Sequence, residues 1–389
     1  MTRRRRSSSE IPEVSRLLEA VLRRETQVID RIRDLVEIES PSSSKSGVDQ
    51  AQALFAEWAS ASGAKVRRHA QADFGDSLEV RFGPEGNQRP AVTLLGHLDT
   101  VWGLGTLAHM PLRVTRERIC GPGVLDMKAG VVMALTAVEV LRELELLTRP
   151  VTLLIHGDEE VGSPVSRALT ERVARQSSTV YVVEPAQGYA GAYKTARKAV
   201  GLYRLTVTGK AAHSGVDFEK GHSAVVELAR QIQVLQSHTD LAKGITVNPG
   251  VIGGGTCSNV VAAEAWVEVD VRVARKRDVP GVERALRASR PVDKGCMVAV
   301  SGGINRPPME RTPGTVALFR RAQELGALLG ITLDEAATGG ASDGNFTSAL
   351  GIPTLDGMGA VGAGAHASHE YLMRKHLAPR IALLAAMLL

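Results

Sequence analysis

Three apolar runs, at residues 91–95, 151–155 and 180–183, each continue directly into ionisable side chains: Gly96-His97-Leu98-Asp99, His156-Gly157-Asp158-Glu159-Glu160 and Glu184-Pro185. Short continuous apolar runs of this kind read as buried strands. In open α/β sheets the chemistry gathers outside the carboxyl ends of the strands. Three strands ending in imidazole and carboxylate groups therefore point to an α/β sheet with a polar site along one edge.

Two more segments carry the same side-chain types. Leu125-Asp126-Met127-Lys128 opens an apolar helix running to about residue 147, and Ala365-His366-Ala367 follows a Gly-rich turn at 359–364. Side chains two apart on a strand share a side, so Asp99 can hydrogen-bond the second ring nitrogen of His97. Neighbours at a strand end diverge, so one of Glu159 and Glu160 can bind a metal while the other holds a water. Imidazole and carboxylate without thiolate suit catalytic zinc, with cobalt or manganese as substitutes, and three protein ligands per ion leave a position for water. A carboxylate shared by two ions about 3.5–4 Å apart keeps both on one water, and Asp126 is the natural bridge. His369 competes with His366 for the last position.

Composition excludes several other classes. With 44% apolar and 23% charged residues, the 389-residue chain is an ordinary globular one, long enough for two cores. Arg3, Arg4, Arg5 and Arg6 supply four of the net +5 charges, so the rest is nearly neutral. No Arg/Lys stripe interleaved with aromatics follows that run, and aromatics are only 4%, so nucleic acid is not an expected partner. The first ten residues lack the apolar segment of a secretory signal and read as a disordered tail. No apolar stretch approaches the roughly 20 residues that span a membrane. Cys120, Cys257 and Cys296 are odd in number, widely spaced and without a CxxC, as in the reduced thiols of a cytoplasmic protein.

The order of elements changes along the chain. A helix over 11–38, a polar turn at 39–44, a helix over 48–62 and strands at 65–69 and 77–82 lead into the ligand-bearing strands, an α/β alternation. From about Arg197 the pattern becomes strand 203–208, helix 223–235, strands 245–252 and 263–273, helix 279–288 and strand 297–300. That order, β-α-β-β-α-β, is ferredoxin-like. Asn305-Arg306-Pro307-Pro308 reads as a return linker, after which helix and strand alternation resumes and brings back His366. The expected organisation is one discontinuous domain, 1–196 with 305–389, interrupted by an inserted domain at 197–304. A terminal helix from about His376 should pack on the sheet. Val225, Leu228, Ile232 and Leu235 form an apolar stripe at helical spacing, available either to the inserted domain's own sheet or to a second copy.

Four segments carry a resemblance: Leu94-Leu95-Gly96-His97-Leu98-Asp99-Thr100, Gly121-Pro122-Gly123-Val124-Leu125-Asp126-Met127-Lys128, Asp158-Glu159-Glu160 and Gly209-Lys210-Ala211-Ala212-His213-Ser214-Gly215. They resemble the co-catalytic zinc hydrolases of the aminoacylase and carboxypeptidase G family, from about Glu25 to the C-terminus. The stretch Gly339-Gly340-Ala341-Ser342-Asp343-Gly344-Asn345-Phe346 is most similar to the glutamate carboxypeptidase branch, although that type spaces its last His and following Glu one residue further apart than His366 and Glu370. The resemblance implies an α/β/α zinc-peptidase-like catalytic domain with an inserted ferredoxin-like α+β lid that also joins a homodimer. It implies two zinc ions bridged by Asp126, one completed by His97 and Glu184 and the other by Glu160 and His366, with Glu159 as general base and Asp99 orienting His97. His213, in a Gly-flanked turn, is placed to stabilise an oxyanion. Asn259 and Arg272 match positions that hold the substrate, and Arg306 and Lys194 are further candidates. The expected activity is amide hydrolysis next to a free carboxylate, releasing glutamate or a similar amino acid from small N-acyl or peptide substrates. Removal of acetyl or succinyl groups from amino acids, or an inactive dimeric scaffold, are the alternatives.

Overall fold

The computed structural model describes residues 10–84, 86–87 and 89–389. The tail, with its arginine run at residues 3–6, lies outside them except for Glu10, which begins a helix. The chain forms two compact units. The larger holds the described residues up to Ala196 with Arg311–Ala337 and Ser342–Leu389, and the smaller holds Arg197–Glu310 and Thr338–Ala341.

The larger unit is built on a six-stranded mixed sheet. Its strands are β1 (Lys65–His69), β2 (Ser77–Phe82), β3 (Ala91–His97), β4 (Val151–His156), β5 (Ser177–Val182) and the short strand Thr354–Leu355, in the order β1-β2-β4-β3-β5 and then Thr354–Leu355. β3 pairs in parallel with both β4 and β5, whereas β2 runs antiparallel to β4. Parallel neighbours need crossovers. Helix Ala129–Glu143 carries the chain from β3 to β4, and helix Arg167–Ala174 from β4 to β5. Because strand side chains alternate, Leu94, Leu153 and Tyr181 join the core under the first helix, while Leu95, Leu154, Val180 and Val182 pack with Leu169 and Val173 of the second. Both faces are covered, so β4 is buried at every position. The register His97↔His156 sets the carboxyl ends of β3 and β4 side by side.

Two expectations change here. The single helix over 11–38 is two helices, α1 (Glu10–Arg23) and α2 (Glu25–Val36), with Arg24 between them at φ −101°, ψ 6°. No Gly or Pro marks the break; Arg24 turns its guanidinium onto Glu143 at 2.9 Å and Glu139 at 3.2 Å of the first crossover helix. The C-terminal helix Leu377–Met387 packs chiefly on α1 and on that crossover helix rather than on the sheet.

The smaller unit has one antiparallel sheet. β6 (Ala199–Thr208), β7 (Thr246–Gly254), β8 (Glu264–Val273) and β9 (Met297–Arg306) lie in the order β7-β8-β6-β9, with helices Ala224–Ser237 and Val279–Arg287 after β6 and β8. This is the split β-α-β arrangement. β9 runs on to Arg306 rather than ending at residue 300, so the segment read as a return linker begins inside a strand. Ser223 caps its helix by accepting from the Val226 amide. The apolar stripe divides: Leu228, Ile232 and Leu235 pack into the unit's own core, and Val225 is exposed. Among the described residues, no helix is long and apolar enough to cross a membrane.

Candidate metal centre

β3 ends at His97, and the backbone beyond it is pinned from two sides. Leu98 N donates to His156 O at 3.0 Å, while Thr100 N donates to Ser40 O at 2.8 Å and Ser42 N to Thr100 O at 3.2 Å. The polar turn at 39–44 thus clamps the loop that follows β3. His97 itself is buried. Its Nδ1 lies 3.0 Å from the backbone carbonyl of Asp99 and 3.4 Å from that residue's carboxylate. The closer partner is therefore the carbonyl, not the carboxylate expected from the strand alternation. Donation from Nδ1 leaves the Nε2 lone pair available to an ion. The Asp99 carboxylate does something else: it accepts from Ser42 Oγ at 2.7 Å, Glu160 N at 3.0 Å and Glu159 N at 3.2 Å. Asp99 holds the Glu159–Glu160 turn.

Asp126 does not open a helix. It sits at φ −116°, ψ 94° within the kinked stretch Val124–Lys128, its peptide bond to Met127 is cis, and the regular helix starts at Ala129. Lys128 anchors the stretch by donating from its buried amine to Leu35 O at 2.9 Å, in the last turn of α2, and to Ile38 O at 2.6 Å just beyond it. Burial pulls the Lys128 pKa down to about 7.

The five expected ligands converge. His97 Nε2 is a buried nitrogen with no hydrogen-bond partner. Its neighbours are Asp126 Oδ1 at 3.5 Å, Glu184 Oε1 at 3.7 Å and Glu159 Oε2 at 3.9 Å. His366 Nε2 lies 3.2 Å from Glu160 Oε2 and 3.4 Å from Asp126 Oδ2. The two oxygens of Asp126 thus face different imidazoles. Potential donor atoms of His97, Asp126 and Glu160, and of His97, Glu159 and Glu184, lie within 4.8 Å of one another in each group. His366 adopts φ 61°, a left-handed conformation few non-glycine residues take, and one that recurs at functional sites. His369 instead lines a surface cavity with His109, Arg113 and Cys120.

The electrostatics call for positive charge. Although burial opposes it, the carboxylates of Asp126, Asp99 and Glu184 hold the His97 pKa well above the ordinary imidazole value. Asp126 and Glu160 raise that of His366 to about 10. Burial, reinforced by the Asp126 charge, pushes Glu160 up to about 7, while Asp126, despite its own burial, is held far below the usual carboxylate range by the two imidazoles. The carboxylates thus favour positive charge at the imidazoles. Divalent cations would meet the same need, and a nitrogen and oxygen donor set without thiolate suits zinc, cobalt or manganese.

Several supporting residues carry no obvious sequence signal. Glu370, fully buried, accepts from the amides of Gly123, Leu125 and Asp126. Asp158 accepts from Val165 N and Ser166 N. Arg380 donates to Gly357 O, Gly191 O and Gly359 O beneath the Gly-rich turn. Each binds backbone groups, which look the same in every sequence; the proximity of Glu370 to His366 and of Asp158 to Glu159 and Glu160 offered the only hints.

In the smaller unit, His213 is exposed and its Nδ1 accepts from Gly215 N at 3.1 Å. The Asn259 carbonyl accepts from Ser214 N at 3.0 Å, and His213 and Val260 form an antiparallel bridge, so these two loops are joined. Arg272 forms a fork on its neighbour Asp270, both contacts at 2.8 Å, and reaches Gly339 O at 3.4 Å. Arg306 is buried at the end of β9. In the larger unit, the backbone of Lys194 pairs with Asp356.

The sequence pattern of Peptidase family M20/M25/M40 matches residues 93–389. The chain belongs to this peptidase family. Over 385 residues, 96% of the chain, the M20 protein is 28% identical to carboxypeptidase G2 of Pseudomonas sp. (strain RS-16), covering 91% of that protein. Aminopeptidase PepT from Bacillus cereus ATCC 10987 shares its fold at a TM-score of 0.78 and 22% identity, with 94% of this chain and 98% of that one covered. The M20 family metallo-carboxypeptidase Sso-CP2 from Sulfolobus solfataricus does so at 0.73 and 16%, with 93% and 98% covered. The M20 protein is thus a hydrolase of mixed α and β structure in a metal-dependent peptidase family with carboxypeptidase relatives.

Proposed function

We propose that this M20 enzyme is a two-metal carboxypeptidase that cleaves the amide bond before a free carboxylate and releases glutamate or a similar amino acid from N-acyl or peptidyl substrates. The observation that carries the reading is Asp126, whose Oδ1 and Oδ2 address His97 at 3.5 Å and His366 at 3.4 Å. A shared carboxylate between two imidazoles is what a pair of ions needs. His97 and Glu184 would complete one position and Glu160 and His366 the other, with zinc the leading ion and cobalt or manganese as substitutes. When bound, such ions acidify a water and polarise the scissile carbonyl.

The remaining chemistry falls to side chains. Glu159 takes the proton from the attacking water and passes it to the leaving nitrogen, and Asp99 fixes it by binding its amide. Because Nδ1 of His213 accepts a backbone N–H, the neutral ring carries its proton on Nε2, the tautomer that can donate to a developing oxyanion. Arg272 and Asn259, with Arg306, are assigned to the substrate carboxylate; Arg272 would exchange Asp270 for it in the same forked geometry. The family resemblance extends the reading to a cytoplasmic homodimer joined through the smaller unit, which serves as a lid.

The test is a substrate panel. Zinc-loaded protein is given folate-like acyl-glutamates, N-acetyl and N-succinyl amino acids and dipeptides, and free amino acid is measured. Glutamate release from bulky acyl-glutamates supports the proposal. Preference for acetyl or succinyl groups makes the enzyme a deacylase, and no release from any member overturns the reading.

A further inference from the structure

We propose that Glu370 is the positioning residue of the metal centre, a carboxylate that binds no ion but sets where Asp126 stands. The inference rests on the reading of Asp126 as the shared ligand. Glu370 is fully buried, and both its oxygens are saturated by donors. Oε1 accepts from Leu125 N at 2.8 Å and Asp126 N at 3.1 Å, and Oε2 from Gly123 N at 2.9 Å and Trp102 Nε1 at 2.9 Å.

Two of these donors belong to the stretch that carries Asp126, and a third, Gly123 N, immediately precedes it. That stretch departs from helical geometry at Asp126 and Met127, so the amides of Leu125 and Asp126 find their acceptor in a side chain 245 and 244 residues away. Glu370 lies one short loop beyond His366, and its own backbone joins in, its carbonyl accepting from Gly121 N at 3.3 Å. One loop therefore delivers an imidazole to the centre and fixes the carboxylate that this imidazole faces. Asp99 plays the matching part for Glu159 and Glu160. Outer partners of this kind orient a ligand, and losing one typically costs metal affinity by about 10–100-fold.

The experiment titrates Co(II) alone into metal-free wild type, Glu370→Gln and Glu370→Asp, following heat and visible absorption, and then measures kcat and KM on the preferred substrate. Glutamine keeps the shape but replaces one acceptor oxygen by a donor that faces backbone N–H groups. The expected result is Co(II) affinity weakened by about 10–100-fold, an altered absorption spectrum, and kcat lost with little change in KM. The aspartate variant keeps the charge and should recover part of both affinity and spectrum. Wild-type affinity and spectrum in Glu370→Gln overturn the proposal while leaving the metal reading standing. If the glutamine variant does not fold, the aspartate variant decides in the same way, since unaltered binding there also refutes it. A wild type that takes up no Co(II) overturns the metal reading and this inference together.

Discussion

Replacing Asp99 by asparagine probes the support of the Glu159–Glu160 turn with the smallest change in shape. The carboxylate is fully buried and divides its donors between its oxygens: Oδ2 serves Ser42 Oγ at 2.7 Å and Glu160 N at 3.0 Å, and Oδ1 serves Glu159 N at 3.2 Å. An asparagine keeps the better-served side by placing its oxygen at Oδ2. Its NH2 group then meets the Glu159 amide, donor against donor. A hydrogen bond to a charged group is lost, worth about 1.5–3 kcal/mol, and a buried N–H is orphaned at about 1–3 kcal/mol, two views of overlapping costs that together come to about 2–4 kcal/mol. Urea denaturation of the metal-free protein, followed by the fluorescence of Trp58 and Trp102 in the larger unit, should show that loss as a lower midpoint. The same variant should lose turnover, because the base hangs from the disturbed amide. A loss below about 0.5 kcal/mol, the range of ordinary surface substitutions, would refute the assigned role.

Three further outcomes follow from packing and charge. A Cβ on Gly130 would run into the Val183 carbonyl, so Gly130→Ala should cost about 1–3 kcal/mol by overpacking and, because Glu184 comes next, weaken metal uptake measured by calorimetry. Arg380→Met strips the donors from three buried glycine carbonyls and should lower stability by at least about 2 kcal/mol, visible as a depressed thermal midpoint. Asp76 is buried, which raises its pKa, but Lys45, the Gln71 amide and Arg68 outweigh this and hold it below the ordinary value. Its contribution is thus complete above about pH 3.9 and lost as the pH falls through the lower folded value. The urea midpoint of Asp76→Asn should fall less steeply on acidification than that of wild type.

The sequence made the centre legible where side chains carry the signal. β3, β4 and β5 are covered on both faces, so they read as apolar runs, and the groups at their ends stand out against that background. Asp126 was found by its motif, but not its conformation, because a kinked stretch held by Glu370 and Lys128 looks in sequence like the first turn of the helix behind it. His366 was singled out by the Gly-rich turn before it, with the resemblance supplying its role, but its placement was not legible: it depends on a chain that returns after the smaller unit and on a left-handed backbone that no residue type announces. Periodicity exposed the stripe on helix Ala224–Ser237 and could not say which of its members face the sheet. The break at Arg24 coincides with ion pairs to a helix more than a hundred residues away, and no local Gly or Pro announces it.

The central claim is that Asp126 and its neighbours hold the ions while Glu159 moves the proton. Glu159→Ala separates the two most directly when bound metal and turnover are measured on the same preparation, beside Asp126→Ala. The account predicts that Glu159→Ala retains the wild-type metal content with hydrolysis abolished, and that Asp126→Ala loses metal. Substantial hydrolysis by Glu159→Ala, or full metal content in Asp126→Ala, would contradict it.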